Sequence, residues 1–222
     1  MNWAEFLLAF AAFLLTHAIP VRPPVRPWLV GHLGVRGFTF AYSALSLGVL
    51  AWLISAAGRA PYVALWQYDP WQNHVPLMAM LPVCLLVALA MARPNPFSFG
   101  GANNDDFNPE RAGLVRWMRH PLLVALALWA LSHVVPNGDL AHVLLFGVFA
   151  IFAFIGQLLV DKRMKRQMGA RWQTLQQAVA LTPLLSFPFE RAEFVLRCAA
   201  GVVLYAVLIS VHPVLFGVGP LP

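Results

Sequence analysis

GLVRWMRHPLLVALALWALSHVVPNGD, residues 113–139, is the stretch on which the fold reading turns. Arg111, Arg116 and Arg119 crowd its start, His120-Pro121 opens an apolar run, and the run closes on His133 and the turn Pro136-Asn137-Gly138-Asp139. Proline in the first turn of a helix costs no hydrogen bond, because the first N–H groups have no helical acceptor. Pro121 therefore starts a helix rather than breaking one. The result is a membrane helix with a histidine at each end.

The rest of the chain is of the same kind. Of its 222 residues 60% are apolar and 11% charged, against about 25% charged in an ordinary soluble domain. A net charge of +6 would suit nucleic acid only if the cations formed a patch on a soluble face. Here they fall in alternate loops between apolar runs. Cys84 and Cys198 both lie inside apolar runs, which leaves neither a disulfide framework nor a cysteine metal site. The N-terminal segment has an apolar core without a basic lead or a small-residue cleavage site, and reads as a retained span.

Six stretches approach the ~20 apolar residues that a crossing needs: Trp3–Ile19, Gly37–Ala57, Val75–Ala92, Pro121–Val135, Leu140–Val160 and Phe194–Phe216. The expected fold is an all-α bundle of about six transmembrane helices in a single domain, residues 1–222. Gly48, Gly147, Gly156 and Gly201 are its candidate points of close helix approach. Of the fifteen Lys and Arg, only Arg59 falls outside the loops that join spans one–two, three–four and five–six and their immediate flanks. The positive-inside rule puts those loops in the cytoplasm of an inner-membrane, multi-pass protein with both termini periplasmic. Trp28, Trp66, Tyr68 and Trp71 suit headgroup level.

The loops differ in chemistry. Pro20–Pro27 is proline-rich and reads as a stiff, extended connection. Residues 93–110 are turn-rich, and Asp105-Asp106 are candidates either to bind a metal or to cap a helix beginning near Pro109, with capping and solvation the favoured reading. Leu159–Gln177 is basic on one face, with Met164, Met168, Trp172 and Leu175 spaced for the other, as in a helix lying at the membrane interface.

All seven histidines lie near span ends. The topology groups His17, His32 and His120 on the cytoplasmic side and His74, His133, His142 and His212 on the outer side. His17 and His133 reach furthest into apolar sequence, where an ionisable group must be paired or bound. No haem-attachment, zinc-protease, phosphate-loop or nucleophile-elbow motif occurs. Carboxylates are missing from the spans apart from Glu5, which disfavours a proton-coupled transporter. A non-covalent haem asks for less: one or two neutral imidazoles in an apolar slot.

His17 in its apolar context, the stretch Leu33–Leu47, RWMRHP at 116–121, WALSH at 129–133 and the following NGD together resemble the NnrU family of bacterial membrane proteins. The likeness runs from the first span to His212-Pro213. It implies a link to denitrification and nitric oxide metabolism, and a relation to the plastid zeta-carotene isomerases, which use haem b. By that resemblance His17 and His133 stand where the haem ligands stand, and Arg119-His120-Pro121 matches the conserved motif. Depth gives a different pairing: thirteen residues of helix rise about 20 Å, so His120 is level with His17 whereas His133 is towards the opposite face.

A weaker likeness, to membrane methyltransferases of the isoprenylcysteine and phospholipid type, also carries Arg-His-Pro. There a tyrosine and a glycine follow where this chain has Leu123 and Ala125, and paired glutamates appear where it has only Asp161. The reading adopted is a haem-b membrane protein with His17 and His133 as metal ligands and His120 and Arg119 beside the cofactor. Arg119 would grip a carboxylate or phosphate, and the substrate would be a nitrogen oxide or an apolar small molecule within the lipid bilayer. The alternatives are a non-catalytic subunit of another complex and an S-adenosylmethionine-dependent methyltransferase.

Overall fold

The computed structural model describes residues 3–183 and 190–221. Among the described residues eight α-helices follow one another: α1 Trp3–Ala18, α2 Val25–Arg59, α3 His74–Ala90, α4 Leu114–Trp117, α5 Pro121–Val134, α6 Leu140–Met168, α7 Ala170–Leu181 and α8 Arg191–Phe216. Three short 3-10 turns lie at Pro70–Asn73, Asn104–Asp106 and Pro109–Arg111. Among the described residues the extended structure is one isolated bridge, Ala64 to Asp139. Each of the six apolar stretches falls on a helix. Four helical segments, α2, Pro70–Ala90, α6 and α8, are long and apolar enough to cross a membrane. At 16 and 14 residues, α1 and α5 are shorter. They rise about 24 and 21 Å, against a hydrocarbon core of about 30 Å.

The chain divides into two compact units. The first is Met1–Gln67 with Gly138–Leu145. In it α1 and α2 pack through Phe6 and Ala9 on one side and Leu53, Ala56 and Ala57 on the other, all buried. Arg59, the cation set apart by the charge pattern, is matched by Glu5 in an ion pair. Gly138 lies directly over Trp66. Its carbonyl accepts from the Leu65 and Trp66 N–H groups at 2.7 and 3.2 Å. A Cβ there would come within 2.4 Å of the Trp66 carbonyl oxygen. Asp139 then caps α6, accepting from the His142 N–H at 3.2 Å and holding the His142 ring at 2.7 Å.

The proline-rich connection is turned, not extended. Arg22 donates to Ile19 O at 3.2 Å, Arg26 donates to Arg22 O at 3.0 Å, and α2 is under way from Val25. Prolines in a first helical turn lose nothing, so Pro27 is accommodated. The break in α2 comes instead at Gly34, whose φ of 69° is open only to glycine at little cost. It separates a short segment, 25–33, from the span proper.

The second unit is Tyr68–Asn137 with Phe146–Pro222. There α3 packs on both α5 and α8. Gly201 of α8 lies so close to α3 that a Cβ would meet the Leu85 Cα at 3.1 Å and the Cys84 carbonyl at 3.2 Å. A Cβ at Gly156 would lie 3.4 Å from the Leu123 methyl carbons of α5, an ordinary contact, whereas Gly48 and Gly147 have open space and are not contact points. Burying apolar surface provides little drive inside lipid, so close backbone approach and polar clamps hold such helices. Tyr205 donates its hydroxyl to Leu77 O at 3.0 Å. Arg197 donates to Ala88 O and Met91 O at 2.9 and 3.0 Å, satisfying carbonyls at the α3 C-terminus and answering its partial negative charge.

Beyond the apolar part of α6 the helix continues, charged, to Met168, and α7 follows after Gly169. Its apolar face does not lie free at the interface as expected. Trp172 and Val179 are buried against Phe97, Ala112 and Val115, with Met164, Met168, Leu175 and Phe107 around them. Phe97 meets Trp172 edge-on at 5.1 Å. Outside lipid the hydrophobic effect operates at full strength, so this face is covered by protein. The turn at Pro109 is capped by Asn108, whose side chain accepts from the Glu110 N–H at 2.9 Å, not by Asp105 or Asp106.

Candidate functional site

Local chain geometry sets the Arg119-His120-Pro121 motif. A residue before proline is pushed out of the helical region, and His120 adopts φ −120°, ψ 64°. Its carbonyl nonetheless accepts the Val124 N–H at 3.0 Å, so His120 is the N-cap of α5. Its ring points inward and is only 2% exposed.

That ring is held on both sides. His120 Nε2 lies 2.9 Å from Asp161 Oδ1 and Nδ1 lies 3.0 Å from the Ser98 hydroxyl. A carboxylate only accepts, so Nε2 carries the proton and Ser98 donates to Nδ1. Arg119 completes the cluster with a two-pronged grip on the same carboxylate, Nε to Oδ1 at 3.2 Å and Nη2 to Oδ2 at 2.6 Å. Asn95 fixes the backbone beneath, its side-chain amide donating to Arg119 O at 2.9 Å. Burial lowers the His120 pKa below its ordinary value. The hydrogen bond and charge of Asp161 pull it back up, and the Arg119 charge adds to the lowering. Ser98 is itself buried, so this serine, histidine and aspartate order does not present a hydroxyl to a substrate. It locks one neutral tautomer.

Of the residues singled out in the sequence, Arg119 and His120 are thus brought together on Asp161. The anion in Arg119's fork is the chain's own carboxylate. Asp161, Ser98 and Asn95 were not anticipated as partners. Asp161 had a signal, as the one acid between the apolar run of α6 and Lys162-Arg163.

His133 stands in the last turn of α5, about 20 Å along the helix from His120. Its Nδ1 lies 2.8 Å from Trp129 O, and its ring stands among Trp129 and Phe146 at 5.5 and 5.4 Å between centroids. His17, in the first unit, repeats the pattern. Nδ1 is 2.8 Å from Phe13 O, and the ring is 4.1 Å from Phe13 and 6.0 Å from Tyr42. In each, Nδ1 donates its proton to a carbonyl, which leaves Nε2 with its lone pair. That is how a metal-binding histidine is normally set. His32 makes the same contact with Trp28 O at 2.8 Å, but at an exposed position. Among the described residues no three His, Cys, Asp or Glu side chains gather into a metal cage. A haem iron, already held by its porphyrin, needs none.

These features define a polytopic α-helical membrane protein with a charged cluster at one end of its helices and single imidazoles presented from α1 and α5. The sequence model of the NnrU protein family matches residues 5–220, nearly the whole chain, and the protein belongs to that family. No curated protein and no solved structure matches it.

Proposed function

We propose that this NnrU protein binds haem b in the membrane, and that His17 and His133 are the residues that would hold its iron. The reading is carried by one observation: both rings place Nδ1 on an i−4 carbonyl, leave Nε2 for iron, and stand against aromatic side chains. His120 is the weaker candidate. With Nε2 on Asp161 and Nδ1 on Ser98, it would have to give up a hydrogen bond to bind iron. Pairing His17 with His133 rests on the family resemblance, whereas the depth argument, which pairs His17 with His120, predicts a different pattern of loss. Bound haem would supply one-electron chemistry or a Lewis-acidic iron, acting on a nitrogen oxide or on the double bond of an apolar substrate. The chain's own part is to hold the two tautomers, keep water from the ligands with Trp129, Phe146 and Phe13, and anchor the start of α5 through Arg119 and Asp161.

The test is the reduced-minus-oxidised absorption spectrum of purified protein, compared for His17→Ala, His120→Ala and His133→Ala. Loss of the haem band at 17 and 133, with 120 spared, is expected. Loss at 17 and 120 would restore the depth pairing, and a colourless wild type or full haem in all three variants would refute the site.

A further inference from the structure

A second feature of the Tyr68–Asn137 and Phe146–Pro222 unit has no part in that reading. A cavity of about 260 Å³ opens where α3 ends and α5 begins. For scale, a dry cavity of about 150 Å³ already holds benzene. One part of its wall is apolar, from Leu89 and Ala90 at the end of α3 and Leu114 on α4. Another part is charged, by Arg93, Arg111 and Asp106.

The charges are not spent alike. Arg93 is engaged with Glu193 at 3.0 and 3.2 Å. Arg111 and Asp106 are exposed and opposite in sign, and they line one cavity, yet among the described residues their side chains form no ion pair or hydrogen bond. Two uncommitted charges of opposite sign, beside an apolar wall, match a ligand that carries both signs on an apolar stem. The position fits as well. The cavity begins at the last turn of an apolar helix, and Trp117 on adjoining α4 is 61% exposed, as an aromatic at headgroup level is.

We propose that this cavity binds the head of a zwitterionic phospholipid of the ethanolamine type, with its phosphate beside Arg111 and Arg93, its ammonium beside Asp106, and its first methylenes along Leu89, Ala90 and Leu114. Arg111 supplies the planar fork that suits phosphate. Arg93, tied to Glu193, adds field and keeps the wall in place.

The experiment uses the full chain in dodecyl maltoside and follows, by native mass spectrometry, retention of dihexanoyl phosphatidylethanolamine, dihexanoyl phosphatidylglycerol and free phosphoethanolamine. Wild type should retain the ethanolamine lipid above the other two. Arg111→Gln should weaken both lipids about tenfold, the effect of losing one charge-assisted hydrogen bond. Asp106→Asn should bring the ethanolamine lipid down to the glycerol lipid and leave the latter unchanged. Both side chains are exposed and unpaired, so neither change threatens the fold. Equal retention of the two lipids by wild type, or indifference to either substitution, would overturn the proposal. Free phosphoethanolamine held as tightly as the lipid would overturn the assignment to a lipid and leave the site to a soluble zwitterion.

Discussion

Asp161 is where the second unit is most vulnerable to a single change. One carboxylate accepts from His120 and from both prongs of Arg119. In Asp161→Ala the buried His120 Nε2–H has no acceptor, which costs about 1–3 kcal/mol. The Arg119 side chain is 39% exposed and can rehydrate, so its loss adds no more than about 1 kcal/mol. The sum is about 1–4 kcal/mol. At about 2–4 °C per kcal/mol for a chain of this size, the melting temperature should fall by roughly 2–16 °C. Asp161→Asn keeps an acceptor for His120 and loses only the charge, so about 1 kcal/mol and a few degrees are expected. The assay is thermal loss of the monodisperse peak on size exclusion in detergent, run on both variants and on Arg119→Gln. The double variant Arg119→Gln/Asp161→Ala should melt close to Asp161→Ala alone, because the pair shares one contact. A melting point of Asp161→Ala within a degree of wild type, or equal losses for Ala and Asn, would refute the account of His120 as the residue that suffers.

His120 should also give stability a pH dependence. Its folded pKa lies below the ordinary value of 6.5, so its contribution is whole above 6.5 and is lost as pH falls towards the folded value, where the unfolded chain binds the extra proton. Melting curves from pH 8 to 5.5 should therefore drop more steeply for wild type than for His120→Gln. Gly201→Ala should cost about 1–3 kcal/mol, because the nearest atoms include the α3 backbone, which cannot step aside. Gly48→Ala meets open space and should stabilise its helix by about 0.5–1 kcal/mol; detergent melting separates the two. The charge pattern predicts that a reporter fused after Pro222 is active only in the periplasm and one fused within Lys162–Arg171 only in the cytoplasm; the reverse at either site would overturn the orientation.

The helices were legible in the sequence because a membrane span must satisfy its own backbone and wear apolar side chains, which marks its length directly. The break at Gly34 and the turned segment ahead of α2 were not, because they depend on which prolines and glycines find a tolerant position rather than on composition. The apolar face of residues 164–175 was read correctly and its covering was missed. The partner comes from Phe97, Ala112 and Val115 in a turn-rich stretch that has no periodicity to announce it. Close approach at Gly201 and none at Gly48 could not be told apart, since both glycines occur in equally apolar surroundings. Asp161 lies forty-one residues from His120, and only the packing of α5 beside α6 shows that they share a proton.

Arg119-His120-Pro121 is the most conspicuous motif in the chain, and its geometry explains why conspicuousness and ligand capacity part company here. Proline at the first helical position takes His120 out of the helix, and that non-helical conformation turns the ring inward to Asp161 and Ser98. The same turn spends both nitrogens. A ring with no spare lone pair stabilises the start of α5, whereas a ring in the last turn of a helix, as at His17 and His133, reaches back to the carbonyl four residues earlier and keeps Nε2 for a partner. Backbone conformation thus separates these three histidines before any cofactor is considered: His120, taken out of the helix by Pro121, is locked into structure, whereas His17 and His133, in helical turns, each keep Nε2 clear of the backbone contact.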